Sequence, residues 1–305
     1  MKKNIISPLV SFFSLLFLGC TAQAPIAENS TPQTLLWRIS GNQLAKPSYL
    51  FGTMHIMCAK DAIVSSQLQQ VLDSTKQVYF EVDLDNMVEM IGSIKAMAMK
   101  DGKGIRDFLT QDEYDRVAAY FQGKSPLPFK VLERYKPLLL SAMIAEQAMQ
   151  CEATNGMEMM ILAEAAKRKK EILGLETMSY QAGLFDSIPY ATQAKELLKA
   201  IDSAGVDNTE VQQLLEAYKA QDLEKINALT IKEEGSLEGN LDLLLYGRNR
   251  NWVQKMPALM KESSNLFAVG AGHLPGENGV IQLLRNAGYT LTPLLNEMKP
   301  SATAK

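Results

Sequence analysis

The chain contains only two histidines, and both close the same four-residue phrase. Gly52-Thr53-Met54-His55 follows the apolar run Tyr49-Leu50-Phe51, and Gly270-Ala271-Gly272-His273 follows Leu266-Phe267-Ala268-Val269. Each run has strand composition, so each imidazole is expected to leave a sheet at a strand end. There a glycine lets the backbone turn, or lets a ligand or metal come close. Strand ends are where open α/β sheets build their sites. A metal or acid–base centre shared by the two imidazoles is the chemistry this pattern suits; two satisfied structural histidines are the alternative.

Three glutamates and an arginine extend the candidate set. Glu81 interrupts the apolar run Val78-Tyr79-Phe80-Glu81-Val82, and an acid there costs free energy unless it is paired or ligated. Glu176 ends the short run Ile172-Leu173-Gly174-Leu175, and Glu158 stands in Asn155-Gly156-Met157-Glu158 at the start of a helical pattern. Either could instead be a favourable charge at a helix N-terminus. Arg248 lies in the polar cluster Arg248-Asn249-Arg250-Asn251-Trp252. Its guanidinium suits a substrate carboxylate or an oxyanion, and a solvated helix face is the alternative. Two imidazoles with one or two carboxylates can hold Zn, Mn, Co or Fe with room for water. Such an ion acidifies its water, and a further carboxylate can serve as base, which makes hydrolysis the expected reaction. No compact signature such as His-Glu-x-x-His is present.

The elements that must position these groups read as follows. Thr34–Ile39 and Pro47–Thr53 form a hairpin around Ser40-Gly41-Asn42, then a helix over Ser65–Ser74 leads to a strand over Gln77–Val82. A helical pattern runs from about Asn86 to Lys170, with its methionines (Met87, Met90, Met97, Met99) expected on packed faces. A short strand ends at Glu176, helices return to about Met260, and the chain closes with strand Leu266–Gly270, helix Gly279–Asn286 and strand Tyr289–Pro293. The expected fold is therefore α/β (α+β), with one mixed central sheet built from the N- and C-terminal segments and a large helical insertion between them. The glycines of Val269-Gly270-Ala271-Gly272-His273-Leu274-Pro275-Gly276 mimic a dinucleotide turn. Their spacing is wrong, and too little chain follows for a second βαβ half.

The 305 residues carry a formal charge of -3, which offers no electrostatic reason to bind nucleic acid. Lys2 and Lys3 followed by the apolar stretch Ile5–Leu18 read as an export signal over residues 1–20. Phe17-Leu18-Gly19-Cys20 resembles a bacterial lipobox, so Cys20 is expected to carry a lipid and tether the protein to the membrane; an ordinary cleaved signal is the alternative. Thr21 after the cysteine favours an outer-membrane lipoprotein facing the periplasm. Residues 21–33 have the composition of a flexible tether, and 34–298 are expected to form a single domain. In an oxidising compartment Cys58 and Cys151 most simply make one disulfide, closing about ninety residues and contributing ~3–5 kcal/mol on the chain-entropy model.

Taken in order, Phe51-Gly52-Thr53-Met54-His55, Glu81, Gly156-Met157-Glu158, Gly174-Leu175-Glu176-Thr177, Arg248-Asn249 and Val269-Gly270-Ala271-Gly272-His273-Leu274 resemble the TraB/GumN family. That family includes the Tiki-type metalloproteases. The resemblance implies a divalent metal (Mn, Co or Zn) on His55, His273 and Glu81, with Glu81, Glu158 and Arg248 in catalytic roles. It also implies a peptide or other small-molecule substrate. An envelope protein that binds or sequesters its ligand without cleaving it is the alternative, and oligomeric state is left open.

Overall fold

Five of the six strands in the central sheet point the same way, four of them paired directly as parallel neighbours, and this brings the C-terminal ends of those four to one edge. The strands are β1 (Leu36–Gly41), β2 (Ser48–Thr53), β3 (Met57–Cys58), β4 (Gln77–Phe80), β5 (Thr154–Asn155), β6 (Glu171–Gly174), β7 (Asn265–Gly270) and β8 (Tyr289–Pro293). The sheet has the order β6-β4-β7-β2-β1-β8, and β3 pairs only with β5. β6, β4, β7 and β2 pair in parallel, whereas β1 is antiparallel to both its neighbours. The computed structural model describes residues 33–298 except 148, 150, 205–208 and 236–239. The expected export signal, and the tether apart from Gln33, lie outside the described residues.

The mixed sheet is built from both ends of the chain with helices between, as the run of strand-like segments implies. Its central strands β7 and β2 are buried on both faces and so read as continuous apolar runs: Leu266, Phe267, Ala268 and Val269 of β7 are all buried, as are Leu50 and Phe51 of β2. The hairpin joining β1 to β2 turns through Gly41, Asn42 and Gln43, all at positive φ. Trp252, Met256, Ile161 and Leu284 belong to the core around the sheet. A second cluster, including Met99, Ile105, Val117, Phe121, Leu132, Leu140 and Leu197, lies within the helical region.

Three features differ from the sequence reading. Strand β4 stops at Phe80, one residue before Glu81, because that carboxylate turns to partners at the sheet edge. Met87 and Met90 are exposed together with Val88, Ile91 and Ile94, so this face of the helix Met87–Met97 is not packed in the core; Met99 is buried. Third, a turn of π-helix, Asp242–Tyr246, runs directly into the helix Gly247–Glu262. Such turns are wider than α-helix and recur at functional sites. Gly247 is required there, since a Cβ would lie 2.7 Å from the Asp242 carbonyl oxygen. Among the described residues no helix is long and apolar enough to cross a membrane.

Candidate active site

Parallel pairing of β2 with β7, in the register Thr53 opposite Gly270, makes both histidine motifs leave the same sheet edge. β4 lies on the other side of β7 and delivers Glu81; β6 lies beside β4 and delivers Glu176, whose N–H donates to the Glu81 carbonyl at 2.9 Å. The motif glycines serve close approach and not a left-handed turn, since neither Gly52 nor Gly270 has positive φ. A Cβ on Gly52 would meet Leu274, Leu35 and Ala271 at 3.1–3.2 Å. One on Gly270 would sit 3.1 Å from Glu81 Oε1, 3.5 Å from His273 Cδ2 and 4.0 Å from His55 Nε2. These two histidines and the glutamate, far apart in sequence, thus surround one small volume that a side chain at residue 270 would enter.

His273 is buried and its tautomer is set by its neighbour. Asn249 Nδ2 donates to the Asn278 carbonyl at 2.8 Å, so its Oδ1 faces His273 Nδ1 at 2.6 Å and must accept a proton from it. His273 Nε2 therefore carries the lone pair, 3.2 Å from Arg248 Nη1 and 3.7 Å from Glu81 Oε1. Burial, and behind it the positive charges of Arg248 and His55, outweigh Glu81 and lower its pKa to about 3; near neutral pH it is uncharged. The Trp252 ring packs against it at 4.4 Å between centroids.

His55 stands at the cleft mouth, with 65% of its side chain exposed, and its Nδ1 lies 2.7 Å from Glu158 Oε1. Its surroundings in the cleft work against a charge, but the Glu158 and Glu81 carboxylates outweigh them and raise its pKa to about 9. The Glu158 carboxylate lies in the first turn of the helix Met157–Lys167, and its Oε2 is buried with no hydrogen-bond partner among the described residues. Thr53 Oγ1, in the same motif as His55, is likewise buried and unpartnered. Tyr218 holds the motif's start by donating to the Gly52 carbonyl at 2.9 Å.

Glu81 is held ionised by what surrounds it. Burial alone would raise its pKa; the positive charge of neighbouring imidazole and guanidinium groups and the Gly270 N–H pull it well below the usual carboxylate range. Because His273 is neutral down to acid pH, the Arg248 guanidinium, the charged His55 imidazole and the Gly270 N–H, donating at 2.8 Å, hold Glu81 ionised near neutrality. Gln181 Nε2 donates to Glu81 Oε2 at 2.9 Å. Arg248 bonds Glu81 through Nη2 and Glu176 through Nε at 2.8 Å, and Trp252 Nε1 donates to the other Glu176 oxygen at 2.9 Å. The polar cluster read in the sequence thus divides by helical face. Arg248, Asn249 and Trp252 point into the site, while Arg250 pairs with the exposed Asp242.

As they stand, no three His, Cys, Asp or Glu side chains among the described residues converge closely enough to coordinate one ion. The donor set nevertheless fits a divalent metal in kind. His273 and His55 both turn Nδ1 to an orienting partner and leave Nε2 for the Gly270 volume, the arrangement in which metal-ligating histidines are usually held. Adjacent donors on a tetrahedral ion with bonds near 2.0–2.2 Å lie roughly 3.4 Å apart, close to the separation of His273 Nε2 and Glu81 Oε1. Gly270→Ala is expected to place its Cβ against Glu81 Oε1 and weaken divalent-metal binding by at least ~10-fold, with little change in the rest of the fold. Calorimetric titration with Mn, Co and Zn checks this, and wild-type affinity would refute the shared volume.

Gln181 was not visible to sequence reasoning. It lies in the helix Met178–Leu184, and no spacing signal relates it to Glu81. Asn249 stood in the polar cluster, but nothing local singled it out as the partner of His273.

Three parallel strand ends thus bring His55, His273 and Glu81 together beside Gly270, with Glu158 against His55 and Arg248 bridging Glu81 to Glu176. The chain belongs to the TraB/PrgY/gumN family, whose model matches residues 35–293. Metalloprotease TIKI2 of Danio rerio is 24% identical over 84% of this chain and 60% of its own length. Metalloprotease TIKI1 of Homo sapiens is 24% identical over 86% of this chain and 62% of its own length. Metalloprotease TIKI1 of Danio rerio is 22% identical, covering 89% and 64%. The chain thus spans about three-fifths of the curated relatives it matches. No solved structure matches it.

Proposed function

We propose that the protein is an exported, lipid-anchored, metal-dependent hydrolase, most simply a peptidase. The observation that carries this reading is the meeting of His55, His273 and Glu81 around Gly270, with both histidines oriented through Nδ1. His55, His273 and Glu81 would hold a divalent ion, Mn, Co or Zn. When bound, that ion polarises a carbonyl and acidifies water. Asn249 keeps His273 in the tautomer that presents Nε2, and Glu158 faces Nδ1 of His55, whose Nε2 would give up its proton to hold the ion. Glu158 Oε2, buried without a partner among the described residues, is the acceptor available for a proton. Arg248 holds Glu81 as an anion and lies close enough to His273 Nε2 to meet negative charge developing on a substrate oxygen. The names of the family relatives favour a peptide substrate. Cys20 would supply the membrane anchor at the outer membrane, and residues 34–298 the catalytic domain.

Metal analysis of the mature protein, with hydrolysis of a mixed peptide library with and without chelator, tests the reading. Bound divalent metal and chelator-sensitive cleavage are expected, and cleavage restored by added Mn, Co or Zn. A protein that cleaves nothing under any of these metals overturns it. One observation favours a second reading, a protein that retains a peptide without cleaving it: Arg248 already occupies Glu81 and closely approaches His273. Tight peptide retention with no turnover would support that alternative.

A further inference from the structure

Cys58 and Cys151 sit where the two segments that make the His55–Glu158 contact cross. β3 and β5 form a ladder of only two pairs, Met57 opposite Asn155 and Cys58 opposite Thr154, extended by the Ala59 N–H donating to the Ala153 carbonyl at 2.9 Å. His55 lies three residues before Cys58. On the other segment, Gly156 and Glu158 follow β5 directly. Met157 N–H donates to the Met54 carbonyl at 3.0 Å, and a Cβ on Gly156 would be 2.3 Å from the His55 carbonyl oxygen. So short a ladder holds weakly by itself. Cys58 is buried, Cys151 is half-buried, and in this structure both are free thiols. The neighbouring Cys58 thiol, together with burial, pushes the Cys151 thiol up to about 11.

We infer that Cys58 and Cys151 form a reversible disulfide that clamps the His55 segment to the Glu158 segment, so that the redox state of the pair sets how firmly this part of the site is held. Its consequence for turnover rests on the hydrolase reading; the clamp itself does not. The oxidant is an external disulfide. Cys151, the more accessible sulfur, loses its proton to solvent, attacks that disulfide and expels one thiolate. Cys58, deprotonated in turn, attacks the Cys151 sulfur and expels the second. One Sγ–Sγ bond forms, the external S–S bond is broken, and two electrons pass to the external pair, which leaves as two thiols.

The test uses the full mature chain, oxidised with glutathione disulfide or reduced with a phosphine, and a Cys151→Ser variant treated identically. Thiol labelling, amide hydrogen exchange and chelator-sensitive hydrolysis are read together. The expected result is loss of both reactive thiols on oxidation, exchange of the 54–59 and 153–158 amides slowed by at least ~10-fold, and no redox response in Cys151→Ser. Quantitative labelling of both cysteines after oxidation would overturn the clamp, as would a bridge that leaves exchange in those segments unchanged. A redox-dependent exchange pattern without chelator-sensitive hydrolysis in either state would uphold the clamp and refute the hydrolase reading. Redox-insensitive exchange with chelator-sensitive hydrolysis would do the reverse.

Discussion

Glu81→Gln is expected to lower chelator-sensitive hydrolysis by ~10²–10⁴-fold. The substitution keeps the shape of the side chain and removes the charge that the Gly270 N–H, Gln181 and Arg248 converge on. Arg248 is not left alone, because Glu176 still accepts from its Nε and lies 2.6 Å from Nη2. The amide must nevertheless bring an N–H against donors that now meet a carboxylate, so a loss of ~1–3 kcal/mol in stability accompanies the loss of activity. Parallel kinetics and thermal unfolding separate the two effects. His273→Ala is expected to abolish activity as well, but it also removes the ring packed on Trp252, which makes it the less clean test. Wild-type turnover in Glu81→Gln would remove this residue from the mechanism and move the search to Glu158 and Glu176.

The second large effect lies in the helical region. Lys136 is almost wholly buried, and its Nζ is held by Asp186 Oδ1 at 2.8 Å and by the Ala182 carbonyl at 2.7 Å. Asp186 also pairs with the exposed Lys100 and accepts from the Tyr190 hydroxyl. Asp186→Ala leaves a buried ammonium without its counter-ion, which is expected to cost ~3–5 kcal/mol. Ala182 belongs to the helix that carries Gln181 to Glu81, so a secondary fall in activity is expected.

The pair also gives a pH dependence. Burial by itself would raise the Asp186 pKa, but Lys136, Tyr190 and Lys100 bring it below the ordinary carboxylate value. A folded-state pKa below the unfolded one contributes stability that is complete above pH ~4 and is lost as pH falls through the folded value. Denaturant unfolding between pH 7 and pH 2 should show this acid-side loss in the wild type and less of it in Asp186→Ala. Equal acid sensitivity in both proteins would show that the pair is not its source.

Local pattern carried the strands, and with them the polar groups at their ends. Continuous apolar runs ending in Gly-x-x-His announce buried parallel strands with a polar group at the end, since such strands are covered on both faces and only their termini can hold an imidazole or a carboxylate. His55, His273, Glu81 and Glu176 were legible for that reason, as was a mixed sheet assembled from both ends of the chain. What only tertiary structure decided is how those ends are ordered and what each side chain meets. The order β6-β4-β7-β2-β1-β8 sets Glu81 beside Gly270, and no local signal encodes a pairing between segments so distant in sequence. The same holds for Asn249 on His273, for Gln181 on Glu81, and for Arg248 engaged by two carboxylates where the sequence suggested a substrate. It holds also for the exposed face of Met87–Met97, because composition records that a helix is apolar but not whether anything packs against it. Hydrophobic periodicity is a property of neighbouring residues and survives in the sequence, whereas a hydrogen bond or ion pair depends on a few tenths of an ångström between elements that meet only after folding.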